Sequence, residues 1–322
     1  MKFIKAPILL IACAAIALLS SCSKNETATI QGVVYSLNGQ QRISQAHVYV
    51  DDKGSGYETH SAVDGSFSFD VPSGKHTLYI ETGDGNIFKT ALDLNLSKGQ
   101  TLVLDNSQTV LRQRGMLACI QGSFDQIESI VHDSLGYTID TLQPNDLDVA
   151  SNLSGYSALF VNCGAPAITQ AAYTNLGNFV SGGHSMYVSD YGVDYLLGYY
   201  DGSCAPVGGF IPDSVLCTNR SATSAMTLPG VNITSTALAT YMGTSTVTID
   251  YDLGGWGMVA LYNSGFWDVM MSSPSMGPLL LHTNHYGGLG AGNIYFTTFH
   301  NKPNGTISST AEQLLTYVIL NL

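Results

Sequence analysis

The chain has 322 residues, a formal charge of -12 at pH 7 and only 11% charged residues. Between Arg114 and Lys302 the only lysine or arginine is Arg220, so this segment carries no cationic stripe for neutralising phosphates, and nucleic acid is excluded as an expected partner. The length allows two domains of ordinary size.

The N-terminal stretch MKFIKAPILLIACAAIALLSSCSKNE places Lys2 and Lys5 before an apolar run that closes on Leu19-Ser20-Ser21-Cys22. The run is shorter than the ~20 residues that cross a bilayer, so it reads as an export signal over residues 1–21, not as a span. Leu-Ser-Ser-Cys resembles a bacterial lipobox. That resemblance implies cleavage before Cys22, lipidation of Cys22, and attachment of a soluble chain to a membrane surface through the acyl groups. The expected location is the bacterial cell envelope, at the outer membrane and facing either the periplasm or the outside, with residues 22–27 as the anchor linker. Removing the signal takes away Lys2 and Lys5 and moves the charge from -12 to -14. Besides Cys22 the mature chain keeps Cys119, Cys163, Cys204 and Cys217. Export permits disulfides. Cys204 and Cys217, in DGSCAPVGGFIPDSVLC, are the candidate pair, although spacing alone does not fix connectivity.

From residue 28 to 112, apolar and polar residues alternate in short bursts: ATIQGVVYS, AHVYVDD, SFSFDV, HTLYIET, FKTALDLNL, QTLVLDN. Period-two alternation with turns about every ten residues predicts an antiparallel β-sandwich. Asp64-Gly65 is a hairpin signal, and Pro72-Ser73-Gly74 marks the next turn. The stretches IQGVVYSLNGQQRISQAHVYVDD and THSAVDGSFSFDVPSGKHTLYIETGDG resemble the carboxypeptidase regulatory-like domain. The resemblance implies a small prealbumin-like sandwich that serves as a spacer or binding unit. His47, His60 and His76 fall at alternating strand positions without metal-like clustering and read as rim residues.

Beyond residue 115 the pattern changes. Met116-Leu-Ala-Cys-Ile-Gln121 is a continuous apolar burst suited to a buried strand. Ser123-Phe-Asp-Gln126 reads as a capping box opening a helix with Phe124, Ile127, Val131 and Leu135 on one face, stopped by Gly136. Strands are predicted at 137–142, 157–161 and 186–189, with a helix at 169–180. The stretches VTIDYD, GMVALYN, WDVMMSS and GPLLLHTN form a β-rich insertion. A buried strand at 294–299 follows, and a capping box at Ser309-Thr-Ala-Glu312 opens a final helix. Strands alternating with helices predict a flavodoxin-like parallel sheet over 115–322, built through right-handed crossovers.

Ligands of open α/β sheets sit outside the carboxyl ends of the strands. The residues to inspect are therefore Gln121-Gly122, Asn162-Cys163-Gly164, Asp190-Tyr191-Gly192 and His300-Asn301. ALFVNCG, GGHSMYVSDYGV and NIYFTTFHN resemble three stretches of the class I glutamine amidotransferase-like fold. The resemblance gives His300 the place of the general base and Asp190 the place of the cysteine nucleophile. Cys163 then falls at the oxyanion-binding loop. The family's His-Pro-Glu becomes His300-Asn301-Lys302, so the acid that should orient the imidazole is missing. Acyl transfer needs a nucleophile, a base and a group that fixes the base's tautomer, and the expectation is a degenerate, non-catalytic site.

His282-Thr-Asn-His285 is spaced more loosely than a structural zinc signature, and neither a metal nor a cofactor is expected. Cys119 reads as plain core. The resulting expectation is an exported lipoprotein with a binding or assembly role, held to the membrane by Cys22 and facing a protein or glycan ligand. The alternatives are a hydrolase using Asp190 and His300 with Cys163, and a carbohydrate binder using Trp256, Trp267 and the tyrosines.

Overall fold

A computed structural model describes residues 27–199, 204, 207–221, 223–301 and 308–322. The signal at 1–21, Cys22 with the linker up to residue 26, and Lys302 lie outside the described residues. No helix among the described residues is long and apolar enough to cross a membrane.

The first part contains seven strands: β1 (Thr27–Val33), β2 (His47–Val50), β3 (Glu58–His60), β4 (Ser66–Pro72), β5 (Gly74–Thr82), β6 (Phe88–Leu96) and β7 (Thr101–Val103). They form a three-stranded sheet in the order β4-β1-β7 and a four-stranded sheet in the order β3-β2-β5-β6. Alternation works as the pattern demands: β6 buries Phe88, Thr90, Leu94 and Leu96 and turns Ala91, Asp93 and Asn95 outward. Two sequence expectations are corrected. The sandwich is not wholly antiparallel, because β1 and β7 pair in parallel with Thr29 opposite Thr101. Asp64-Gly65 does not close a hairpin, because β3 and β4 belong to different sheets and the turn carries the chain between them. Gly65 has φ +77°, and a Cβ there would stand 2.9 Å from the Val34 carbonyl oxygen, so glycine alone fits this crossing.

The second part is a mixed α/β unit around one nine-stranded sheet. Its strands in chain order begin with β8 (Met116–Ile120), β9 (Asp140–Leu142), β10 (Tyr156–Val161) and β11 (Ser185–Ser189). Two short strands, β12 (Gly198–Tyr199) and β13 (Val207–Gly208), pair with each other, and β14 (Leu216–Arg220) pairs with β17 (Gly257–Tyr262). The others are β15 (Met226–Ile233), β16 (Thr246–Tyr251), β18 (Asp268–Ser273), β19 (Gly277–Thr283) and β20 (Ile294–Thr297). The large sheet runs β16-β15-β18-β19-β20-β11-β10-β8-β9. From β20 to β9 the neighbours are parallel, and from β20 to β16 they are antiparallel. The β-rich stretch is thus mainly an extension of the central sheet, and the sheet is mixed where a parallel one was expected.

The amphipathic helices are α1 (Gln170–Ser181), α2 (Thr236–Met242) and α3 (Ser309–Leu320). Thr169 caps α1 by accepting a bond from the Ala172 amide at 3.2 Å. The cap of α3 is Ser308, one residue before the expected box, accepting from the Ala311 amide at 3.1 Å. The helix expected from Ser123 shrinks to a turn at Ile127–Ser129 that continues as a wide π turn over Ile130–Ser134. The Ile127 amide is capped by the Asn162 side chain at 3.1 Å, while Asp125 turns inward and Phe124 stays 47% exposed.

The two parts share one hydrophobic core that runs from Ala28 and Ile30 of the sandwich to Leu320 and Leu322 at the chain's end. Tyr137 is fully buried at the seam, with its ring 4.6 Å from that of Phe88. Nearby, Gly136 has φ +78°, and a Cβ on it would lie 2.7 Å from the Asn38 Cβ. The Asn38 side chain donates to the carbonyls of Asp133 and Ser134 at 3.3 and 3.2 Å, and Gln41 donates to Glu312 at 2.7 Å.

Candidate functional site at the strand elbow

All five residues of β11 are buried, and the chain turns immediately after them. Asp190, the first residue of the turn, has φ +45°, the left-handed region that non-glycine residues seldom occupy and that aspartate tolerates better than most. Gly192 lets the turn press against β10, because a Cβ there would lie 2.8 Å from the Val161 carbonyl oxygen. A strained residue at a strand end costs of order 1–3 kcal/mol and is retained where the surroundings over-determine it.

The surroundings of Asp190 do so. Its Oδ1 accepts from the Gly257 amide of β17 at 2.5 Å, and its Oδ2 accepts from the Cys163 thiol at 3.3 Å. The same Oδ2 lies 3.2 Å from His300 Nε2, an ion-pair distance, while Nε2 makes no hydrogen bond. The Cys163 amide in turn donates to the Ser189 hydroxyl at 3.0 Å. The strand ends after β10, β11 and β20 therefore bring the three expected candidates, Cys163, Asp190 and His300, to one point. They expose 1%, 1% and 6% of their surface, so the point is closed to solvent.

The sequence expectation that His300 lacks an orienting acid is corrected. Asp252, directly after β16, accepts from His300 Nδ1 at 2.7 Å and fixes Nε2 toward Asp190. The acid comes from the insertion, 48 residues before the imidazole, and not from the position two residues after it. Asp125 was also missed. It is buried, and its Oδ2 accepts from the Asn301 amide at 3.0 Å and from the Asn301 side chain at 3.3 Å. Asn301 also donates to the hydroxyl of the buried Tyr187. Asp252 stands at the end of a predicted strand, as Asp190 does, and that placement was the signal available for it.

Electrostatics follow from this packing. Burial disfavours the charged imidazole, but Asp190, with Asp125 and Asp252 behind it, outweighs burial and raises the His300 pKa to about 9. Burial and the adjacent Asp190 push the Cys163 thiol far above its ordinary range, the opposite of an activated thiolate. Arg220 is also used inside this part of the fold. Its Nη2 donates to both carboxylate oxygens of Asp194, at 2.8 and 2.7 Å, and its guanidinium lies 3.6 Å from the centre of the Tyr191 ring. The planar guanidinium over the ring suits arginine better than lysine.

The other candidates lie elsewhere. Cys204 and Cys217 are bridged, with Cα atoms 5.4 Å apart. Cys119 is a buried free thiol within β8. His282 Nε2 pairs with the Asn293 side chain at 2.9 Å, while His285 lies against Phe266. Trp256 and Trp267 are 2% and 1% exposed, so neither offers a face on which a sugar can stack.

No protein-family model matches this chain, and no curated protein sequence matches it. Among solved structures, a ThuA-like protein of Bacteroides uniformis is similar over 63% of this chain and 88% of its own length, at 11% identity and a TM-score of 0.44. A ThuA-like protein of Parabacteroides merdae is similar over 63% and 86%, at 11% identity and a TM-score of 0.42. A GMP synthase component from Thermoplasma acidophilum is similar over 64% and 94%, at 13% identity and a TM-score of 0.41.

Proposed function

We propose that the chain is an exported bacterial lipoprotein, lipidated at Cys22 and held at the outer membrane, with a prealbumin-like sandwich next to the anchor. Its α/β unit is a degenerate class I amidotransferase-like domain with a binding or assembly role toward a protein or glycan ligand. One observation carries the non-catalytic reading: the elbow position belongs to a buried carboxylate whose two oxygens accept from the Gly257 amide and the Cys163 thiol, with His300 Nε2 at 3.2 Å. A carboxylate that is 1% exposed offers no face to a substrate, and the thiol beside it is held protonated.

A hydrolytic reading has one observation in its favour, the Asp252–His300 pair, which restores the orienting half of a triad. The two readings separate in one assay. The full-length protein, exported and purified in detergent, is screened against glutamine, simple amides and esters beside Asp190→Ala and His300→Ala. The expected result is no turnover above background for any of the three proteins. Turnover by the wild type that either substitution abolishes replaces the binding reading with the hydrolytic one.

A further inference from the structure

Among the described residues, Cys163 Sγ, a carboxylate oxygen of Asp190 and a ring nitrogen of His300 lie within 4.8 Å of one another, all in buried side chains. We propose that this trio is a zinc site. His300 Nε2 is buried without a hydrogen-bond partner and faces the other two donors, an arrangement that a metal bond would complete. The Asp190 oxygen stands 3.3 Å from the sulfur and 3.2 Å from Nε2. Zinc bonds of ~2.3 Å to sulfur and ~2.0–2.1 Å to nitrogen or oxygen, at tetrahedral angles, give donor separations of roughly 3.3–3.6 Å. Those two spacings therefore lie close to the edges of a zinc tetrahedron already.

The outer contacts also suit a metal. Asp252 accepts the Nδ1–H of His300, which leaves Nε2 as the ligating atom, and the Gly257 amide fixes the other oxygen of Asp190. Such outer hydrogen bonds set the tautomer and aim of metal ligands. Charge balances as well. Zn2+ is neutralised by one carboxylate and one thiolate, and its binding releases the Cys163 thiol proton together with the imidazolium proton of His300. A set of one sulfur, one nitrogen and one oxygen favours zinc over magnesium or calcium, which take all-oxygen shells. A water enclosed with the metal would supply the fourth tetrahedral donor. The inference goes beyond the binding role and does not depend on it.

The test uses the full-length protein stripped with chelator, then titrated with Zn2+ alone and, separately, with Co2+ as a spectroscopic substitute. The expected result is one zinc per chain that resists dialysis, and a cobalt spectrum with tetrahedral visible bands and a thiolate charge-transfer band. Cys163→Ala and His300→Ala are expected to lose both, and Asp252→Asn to bind zinc about 10–100-fold more weakly. Less than stoichiometric zinc, a cobalt spectrum without the thiolate band, or unchanged binding in Cys163→Ala overturns the proposal. Should the alanine variants not fold, the wild-type cobalt spectrum decides alone. Repeating the hydrolase screen with zinc present keeps the two questions apart, because turnover would refute the non-catalytic role without touching metal binding.

Discussion

Replacing His300 with alanine is expected to lower the unfolding free energy of the metal-free protein by about 3–5 kcal/mol, as removal of one partner from a buried charged pair does. The loss has an identifiable source. Asp190 is 1% exposed and Asp252 is partly buried, and among the described residues the imidazolium is the only cation shown in contact with either carboxylate. Without it, two acids are left at one end of the sheet, with Asp125 close behind. The same pairing gives a pH dependence with a definite sign. The folded-state pKa of His300 is raised, to about 9, above its ordinary 6.5, so its contribution is fully present below pH 6.5 and disappears as the pH rises through 9. The groups facing the ring are Asp190, Asp252, Asp125 and Cys163. At one pKa unit per 1.36 kcal/mol, the fall across that window is on the order of 3 kcal/mol. Urea denaturation with chelator present, at pH 6 and pH 9.5, measures it. The wild type should weaken between the two and His300→Ala should not. A wild-type stability that rises over this range contradicts the ion pair.

Tyr137→Ala is expected to cost about 3–5 kcal/mol, the range for removing a large aromatic ring from a packed core. The tyrosine is fully buried and packs against Phe88 of the sandwich, within a core shared by both parts of the molecule. The expected thermal melt is therefore one cooperative transition that moves to lower temperature as a whole. Two separated transitions, with only one displaced, would show that the sandwich and the α/β unit unfold independently. Tyr137→Phe supplies the control. The hydroxyl is buried without a hydrogen-bond partner, so removing it should leave stability unchanged or raise it by about 1–3 kcal/mol.

Much of this architecture is legible in the sequence because it rests on local periodicity. The alternation in FKTALDLNL gives β6 its inward and outward faces, and the helical spacing of Ala172, Leu176, Phe179 and Val180 gives α1 its buried side. The strand-end rule locates Cys163, Asp190 and His300 from sequence alone, because a parallel sheet gathers the residues that follow its strands. What depends on long-range pairing is not legible. Nothing local tells β7 to lie parallel to β1, or β15, β16, β18 and β19 to widen the central sheet instead of forming a lobe of their own. Asp252 escapes notice for the same reason, since it meets His300 only once β16 occupies the far edge of that sheet. The helix expected after Ser123 fails because the structure turns Asp125 inward to satisfy Asn301, a demand that outweighs the capping preference of a serine.

The central claim is that the metal-free elbow holds an acid and a protonated thiol, both sealed and neither nucleophilic. Electrophilic labelling of the native full-length protein with chelator present tests it most directly, with the labelled positions located by mass spectrometry. Iodoacetamide for the thiol and a carboxylate-directed epoxide for the acid are the probes. Native protein is expected to leave Cys163 and Asp190 unmodified, and denaturant is expected to expose Cys163 to alkylation. Native-state labelling of either residue, faster than in the unfolded chain, would mean that an activated nucleophile sits at the elbow and would contradict the account.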